Sequence, residues 1–253
     1  MNRDTFSRSD VVAAYEDFGL QPPEVFILLD YLDELRDRRV LDLGCGAGRT
    51  APYLATYASE YLGIDFAKPM VEIARERFPH FRFEVGDATD LGRHAAGSFD
   101  VVVFSFNGID YVGHDDRLAA LREIRRVLSP GGMFFFSSHN RRCASIERHP
   151  RLALDWRPWR LATGIRDYMV ARRNHHANRR GQRETPGYAI VNDSAHHFGL
   201  LTYYVDRGAQ EQQLTEQGFR CEAVYASGDG QRLAPDDDDR RSAWLYYVAR
   251  KAG

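Results

Sequence analysis

Residues 39–49 read Arg-Val-Leu-Asp-Leu-Gly-Cys-Gly-Ala-Gly-Arg, and this segment is the most informative part of the chain for its fold. A short apolar run stops at three glycines in alternate positions, Gly44, Gly46 and Gly48. The pattern predicts a buried strand, a tight loop and then a helix over residues 50–57. Glycine permits positive φ and lets a ligand approach the backbone with no Cβ in the way, and the first N–H groups of a helix are unpaired. The loop is therefore a candidate binding site for a polar ligand.

Glycine spacing separates the two ligand classes that use such a loop. A dinucleotide site has Gly-x-Gly-x-x-Gly, whose third glycine packs the helix on the strand. Counted from Gly44, that third position is Arg49, which disfavours a nicotinamide oxidoreductase. The pattern present, Asp42-x-Gly44-x-Gly46-x-Gly48, resembles the first motif of the class I S-adenosylmethionine (SAM) dependent methyltransferases. The resemblance implies that these four residues bind SAM, and a generic turn of an α/β domain is the alternative.

Asp65 ends a second strand-like run, Tyr-Leu-Gly-Ile-Asp, over residues 61–65. It lies about 20 residues past the glycines, where a ribose-binding carboxylate belongs in a βαβ unit. One carboxylate can accept both ribose hydroxyl protons, so we expect Asp65 to bind the donor ribose. Its alternative role is to cap the next helix. Phe66 and Met70, on the loop and the start of that helix, are further candidates for cofactor contact.

A third strand over residues 81–85 alternates apolar and polar residues and ends at Gly86-Asp87-Ala88. The ending resembles the next motif of the same family, in which an acid bonds the adenine amino group and the neighbouring N–H meets a ring nitrogen. The resemblance gives those two roles to Asp87 and Ala88. An Asp-containing turn is the alternative.

Residues 99–104 form a nearly continuous apolar run, which predicts a strand buried on both faces. In an open α/β sheet the ligand crevice lies beyond the carboxyl ends of the strands. The loop over residues 105–114 is therefore expected to border the reacting methyl group, with Ser105 on the cofactor. A base is needed when the acceptor is a hydroxyl or a protonated amine. The candidates near this edge are His139, His114 and Tyr111 for catalysis, and Asn107, His196 and the N-terminal Tyr15 for the acceptor.

Fold and domain organisation follow from the family resemblance. It implies a doubly wound, Rossmann-like α/β fold with a seven-stranded, mostly parallel sheet, whose last strand is antiparallel and lies beside the fifth. We expect one domain over residues 1–253, with an N-terminal helical lid segment (1–36) and a substrate cap (141–205) between the fifth and sixth strands. Within the cap, residues 165–170, 188–191 and 200–205 read as strands. Helices are predicted over residues 115–128, capped by Asp115, and over residues 24–35, with a buried stripe of Phe26, Leu28, Leu29, Leu32 and Leu35.

Composition limits the remaining possibilities. The chain has 253 residues and a formal net charge of −2, which suits one α/β domain and argues against bulk attraction to nucleic acid. No apolar run approaches the roughly 20 residues of a membrane span, so no membrane partner is predicted. The first ten residues lack an apolar signal core. Three cysteines without metal spacing predict a reducing cytoplasm and no metal site.

The predicted function is methylation of oxygen or nitrogen on a small-molecule acceptor, with SAM as the cofactor. The family's motif for methylating base amino groups, Asn/Asp-Pro-Pro-aromatic, is absent, because residues 105–108 read Ser-Phe-Asn-Gly. Two alternatives stay open. One is an RNA-directed methyltransferase that uses the arginine-rich insertion, and the other is a SAM-binding module without catalysis. Neither the acceptor nor the oligomeric state follows from the sequence.

Overall fold

The computed structural model describes Asn2, residues 19–152 and residues 155–253. Its sheet is built from strands that we number in chain order: β1 (Arg39–Leu43), β2 (Glu60–Asp65), β3 (Arg82–Val85), β4 (Phe99–Phe104), β5 (Leu128–Asn140), β6 (Arg183–Glu184), β7 (Ala189–Val191), β8 (Thr202–Val205), β9 (Phe219–Ala226) and β10 (Trp244–Lys251). The helices are α1 (Pro22–Asp30), α2 (Leu32–Leu35), α3 (Ala51–Tyr57), α4 (Lys68–Arg77), α5 (His114–Val127), α6 (Pro158–Asn178) and α7 (Arg207–Glu216). Short 3₁₀ turns cover Gly108–Tyr111 and Arg179–Gly181.

Seven strands form the centre of the sheet in the order β3-β2-β1-β4-β5-β10-β9. The first five are parallel, and β10 runs antiparallel between β5 and β9. The mostly parallel α/β sheet with an antiparallel closing strand beside the fifth is thereby confirmed. β1 and β4 are mostly apolar because both of their faces are covered.

Alternate residues of β4 show the two covered faces. Val102 packs in a cluster with Leu121 of α5 and Leu214 of α7. Val101 packs in a second cluster with Ile27 of α1 and Leu54 of α3. Successive side chains of a strand point to opposite faces, so helices lie on both sides of the sheet, as the doubly wound prediction requires.

Three further strands lengthen the sheet beyond the predicted seven. β5 runs past the end of β4, and its last two residues, His139 and Asn140, pair in parallel with β8. His139 also pairs with Trp244 of β10 on the other edge of β5. β8 therefore pairs with the same edge of β5 as β4 does, beyond the point where β4 ends. β7 and β6 then continue this edge in antiparallel pairs. The predicted cap boundaries stay a prediction.

Three predictions about helices were wrong in detail. Residues 165–170 lie inside α6 and form no strand, because a short apolar run has no decisive period. The helix predicted over residues 24–35 breaks at Tyr31 and buries Ile27, while Phe26 and Leu29 of the predicted stripe are 46% and 65% exposed. α5 begins at His114 with Gly113 as its N-cap residue, one residue earlier than predicted from Asp115.

Within the described residues, no helix combines the length and apolar character that a membrane crossing requires.

Candidate active site

A cavity opens at the carboxyl ends of β1, β2 and β4, where the loop after each strand contributes to its wall. Ten of the residues predicted from the sequence line it: Asp42, Gly44, Gly46, Asp65, Phe66, Met70, Asp87, Ala88, Ser105 and Tyr111. The cavity therefore gathers three separate sequence motifs into one site. Its position is the crevice where this class of sheet binds ligands.

The glycine loop needs its glycines for conformation and for space. Gly44, Gly46 and Gly48 have φ values of +61°, +54° and +83°. A Cβ at Gly44 would lie 2.8 Å from the Phe104 ring, and one at Gly48 would lie 2.9 Å from the Phe78 ring. A Cβ at Gly46 would meet nothing within 4 Å. Gly44 and Gly48 thus allow close packing within the protein, whereas Gly46 presents its backbone to open space. Gly48 itself does not line the cavity.

Asp65 joins the ends of two chain segments. Its Oδ2 accepts a 2.9 Å hydrogen bond from the N–H of Gly46, and its Oδ1 accepts one of 2.8 Å from the N–H of Ala67. Ala67 is the N-cap residue of α4 and no side chain caps that helix, so the alternative prediction that Asp65 caps it was wrong. Asp65 instead forms a turn onto the residue at which the helix begins. Burial raises the pKa of the Asp65 carboxyl, and the two backbone donors offset part of that rise.

Asp42 is a buried residue of β1, two positions before Gly44 of the glycine loop. Its Oδ2 accepts hydrogen bonds from the Thr50 hydroxyl at 2.5 Å and the Tyr61 hydroxyl at 2.8 Å. Burial raises the pKa of this carboxyl to about 6, against the lowering effect of both hydroxyl donors. These contacts tie β1 to the start of α3 and to β2.

The far end of the cavity carries the remaining cofactor candidates. Asp87 Oδ1 accepts hydrogen bonds of 2.9 Å from both the N–H and the hydroxyl of Thr89, which shapes the turn before Ala88. Phe66 is 38% exposed and presents an aromatic surface, while Met70 is buried. An acid, an apolar side chain and a ring thus surround one end of the space.

Sequence reasoning missed an ion pair beside the glycine loop. The Arg49 guanidinium donates two hydrogen bonds of 2.6 Å to Glu24 of α1, and both side chains are largely buried. The Ser105 hydroxyl also donates to Glu24. Arg49 lines the cavity and stands 5.1 Å from the centre of the Phe106 ring. Its position directly after the loop was the available signal, but nothing in the sequence pointed to Glu24.

A second buried charge network lies behind the loop over residues 105–114. Asp110 and Arg117 are both fully buried and pair at 2.5 Å. Arg117 also donates to Ser138, Gln210 and Gln213, so its charge has hydrogen-bond acceptors on several sides. An arginine in a helical pattern is normally exposed, and for that reason this cluster could not be predicted from the sequence.

Asp110 holds His139, the first-named catalytic candidate. Asp110 Oδ2 accepts hydrogen bonds from the His139 backbone N–H at 2.6 Å, and lies 2.7 Å from the ring Nδ1. The ring centre of His139 lies 6.1 Å from that of Tyr111, which lines the cavity. His139 itself does not line the cavity, but it is a neighbour of Tyr111, which does.

Three other predicted residues lie away from the cavity. Asn107 is buried at φ +61°, and its N–H donates to the Ser137 hydroxyl at 2.7 Å. His114 stacks on the Tyr188 ring at 4.1 Å, and burial lowers its pKa. His196 begins a run of three residues with positive φ. None of the three contributes to the cavity wall. Tyr15, the predicted lid residue, lies outside the described residues.

Asn2 is a further residue that sequence reasoning missed. Its side-chain amide donates hydrogen bonds of 2.8 Å to the carbonyl oxygens of Tyr111 and Leu201, and its Oδ1 accepts from the Leu201 N–H. Asn2 also lines the cavity. It therefore connects the loop after β4 to the segment before β8.

Comparisons with known proteins identify the domain. A family model described as "Methyltransferase domain" matches residues 40–132. The ubiquinone biosynthesis O-methyltransferase of Xanthomonas oryzae pv. oryzae is 33% identical over 127 residues, which are 47% of this chain and 52% of that relative. The chain thus spans about half the length of the curated relatives it matches.

Solved structures resemble the whole chain. A SAM-dependent methyltransferase from Mesorhizobium loti has a TM-score of 0.60 and 25% identity, covering 90% of this chain and 97% of that one. The 1,6-didemethyltoxoflavin-N1-methyltransferase of Burkholderia thailandensis has a TM-score of 0.62 over 99% of this chain and 89% of that one, at 15% identity, a likeness of fold alone.

The strand order, the glycine loop and the matched domain together define an α/β methyltransferase domain. Residues 40–132 carry a methyltransferase domain, and the fold of the chain is that of the class I SAM-dependent methyltransferases, whose cofactor is SAM. The residues present fit that cofactor, since open backbone at Gly46 and acids at Asp65 and Asp87 border one cavity. Among the described residues, no group of three or more histidines, cysteines or acids is placed to hold a metal ion.

Proposed function

We propose that this protein transfers the methyl group of SAM to an oxygen or nitrogen atom of a small molecule. The observation that carries the proposal is the joining of the glycine loop to Asp65 at the wall of one cavity. The O-methyltransferase name of a relative supports oxygen as one possible acceptor atom. The three cysteines are free thiols, which supports the predicted cytoplasmic location.

Each part of the donor has a matching group in this proposal. The carboxylate of Asp65 accepts hydrogen bonds from the ribose hydroxyls through the lone pairs that Gly46 and Ala67 leave free. Asp87 accepts from the adenine amino group, and the Ala88 N–H donates to a ring nitrogen. The open backbone at Gly46 lies under the amino-acid part of the donor, with Ser105 nearby.

The bound cofactor supplies a methyl group already activated by its positive sulfur. The residues of the chain then have to place the acceptor in line with that methyl group and keep water away. Tyr111 and Phe106, which line the cavity, would border the acceptor. A hydroxyl acceptor must also lose its proton, which calls for a base nearby.

His139 is the proposed base, and Asp110 is its positioning residue. A carboxylate that accepts from Nδ1 keeps the proton on that nitrogen and leaves Nε2 free to take one. Arg117 compensates the buried charge of Asp110. His114 has no part in this proposal, because its ring stacks on Tyr188 and its Nδ1 lies 3.0 Å from the Tyr203 hydroxyl rather than from a carboxylate. His196 is given no catalytic role.

The experiment is a screen of small hydroxylated and amino acceptors with SAM, followed by kinetics on the best one. We expect His139→Ala to lower kcat by about 10²–10⁴-fold with unchanged affinity for S-adenosylhomocysteine, the scale of general base catalysis. His114→Ala is the matched control and should keep its activity. Equal losses in the two variants would contradict the assignment, and no turnover with any acceptor class would count against a small-molecule substrate.

A further inference from the structure

Helix α6 presents its large apolar residues to the outside. Its inward-facing positions recur at helical spacing through Leu161, Tyr168, Ala171 and His175, and of these only Ala171 is buried. The outward face carries Trp159 (68% exposed), Ile165 (42%), Met169 (65%) and Val170 (42%), and Trp156, just before the helix, is 86% exposed. A surface helix normally buries its apolar stripe, so this arrangement indicates a surface that has a partner.

The chain around α6 carries a strong positive charge, and four of its arginines, Arg160, Arg166, Arg172 and Arg173, lie on the helix itself. Residues 141–183 contain twelve arginines, no lysine and three acidic residues, a balance of +9 in a chain whose total is −2. The rest of the chain is therefore at −11. Arg166 is paired with Asp167 on α6 itself, but Arg172 and Arg173 have no acidic partner within residues 19–152 and 155–253. Arg172 instead lies 5.8 Å from the Tyr168 ring.

We propose that the outward face of α6, together with Trp156, docks on a membrane surface that contains anionic lipids. The helix would lie in the plane of the interface, with its tryptophans and aliphatic side chains among the acyl chains and its arginines on the lipid phosphates. Binding to a bilayer surface increases with the apolar area that is buried and with the attraction of basic residues to anionic lipids, and this face offers both. Tryptophan is also enriched at that depth of the bilayer. The prediction of no membrane partner rested on the lack of a spanning run and did not test for a docking face.

Charge and side-chain type decide between a bilayer and other occupants. A second copy of this chain would bring two faces of like charge together in a symmetric contact, which is unfavourable. Nucleic acid would satisfy the arginines, and its bases stack on aromatic rings, but Ile165, Met169 and Val170 offer it nothing to bind. An anionic bilayer supplies both an apolar layer and negative charge.

The test is flotation of the full 253-residue chain with two kinds of vesicle, phosphatidylcholine alone and phosphatidylcholine mixed with phosphatidylglycerol. We expect flotation with the anionic vesicles only, weakened by salt. Two of the chain's three tryptophans lie on the proposed face, so tryptophan emission should also shift to shorter wavelength on binding. A native chain that stays unbound with anionic vesicles overturns the proposal.

Paired variants identify the face. Trp159→Glu with Met169→Glu, and separately Arg172→Glu with Arg173→Glu, should each weaken vesicle binding by roughly tenfold or more. The matched controls are Leu29→Glu, an equally exposed apolar residue on α1, and Arg122→Glu, an exposed arginine on α5. Circular dichroism and the unfolding midpoint check that each variant folds. Three results would each refute the docking face. The α6 variants could float as well as the controls, a dimer could already shield the tryptophans without lipid, or the chain could bind an oligonucleotide but not vesicles.

Discussion

The carboxylate of Asp65 accepts a 2.9 Å hydrogen bond from the backbone N–H of Gly46, so the acid that ends β2 holds the glycine loop that follows β1. Two motifs that lie 19 residues apart in the chain thus form one structural unit. Any substitution of Asp65 disturbs the loop as well as the proposed ribose contact. A test of the ribose contact must therefore separate these two effects.

Comparing two proteins with two ligands separates the effect on the loop from the ribose contact. Asp65→Ala should weaken S-adenosylhomocysteine binding by about 1–3 kcal/mol, the scale of hydrogen bonds to charged groups. The native protein should also lose affinity for the analogue that lacks the ribose 2′-hydroxyl, while the variant should lose much less, because its ribose contact is already gone. Calorimetric titration of both proteins with both ligands measures this. If deoxygenation costs the variant as much as the native protein, Asp65 acts on the loop alone.

Gly46 and Gly131 offer a matched pair of glycines. Both have positive φ, +54° and +71°, and a Cβ at either would meet nothing within 4 Å. Alanine at either position should cost about 1–2 kcal/mol of unfolding free energy from left-handed backbone strain. Only Gly46→Ala should also lower donor affinity, since its Cβ would enter the space we assign to the donor. Unchanged affinity in Gly46→Ala would place the donor elsewhere.

The buried ion pair between Glu24 and Arg49 should make the effects of the two residues on unfolding free energy strongly interdependent. Glu24→Gln leaves the Arg49 charge buried without its partner, and we expect a loss of about 3–5 kcal/mol in unfolding free energy. The double variant Glu24→Leu with Arg49→Met should recover most of that loss. Glu72→Gln, which breaks an exposed pair with Lys68, is the control and should change stability by less than about 1 kcal/mol. Urea unfolding measures all three, and additive losses in the double variant would argue against coupling.

Asp42 should make the native state less stable as the pH rises. Burial raises its pKa from 3.8 to about 6, so its contribution is fully present below pH 3.8 and is lost as the pH passes through about 6. The loss is on the order of 3 kcal/mol, since one pKa unit corresponds to about 1.4 kcal/mol. Asp42→Asn should flatten the unfolding free energy over this pH range. An identical pH slope in the native protein and the variant would contradict the raised pKa.

Local sequence patterns were sufficient to predict that the proposed cofactor residues lie together. The apolar run before Gly44 and the acids at Asp65 and Asp87 all follow predicted strands, and parallel strands bring their carboxyl ends to one edge. These residues consequently lie around one cavity. The alternation of strand and helix patterns along the chain is also local, and it was sufficient to predict the parallel sheet.

The acceptor side depended on contacts that no local pattern encodes. Asp110 meets His139 only because β5 extends past β4, and Arg117 is buried against residues of α7 almost a hundred positions away. The position of His114 was equally unpredictable, since it depends on the tyrosines that flank it. Residues 165–170 of helix α6 were predicted as a strand because a short apolar run has no decisive period.

The most direct measurement is a crystal structure of the protein grown with S-adenosylhomocysteine. The account predicts the ligand in the cavity beyond β1, β2 and β4, with its ribose hydroxyls on Asp65, its adenine beside Asp87 and Ala88, and its amino-acid end over Gly46. A cavity that stays empty at saturating ligand, or a ligand bound at another place on the chain, would contradict it.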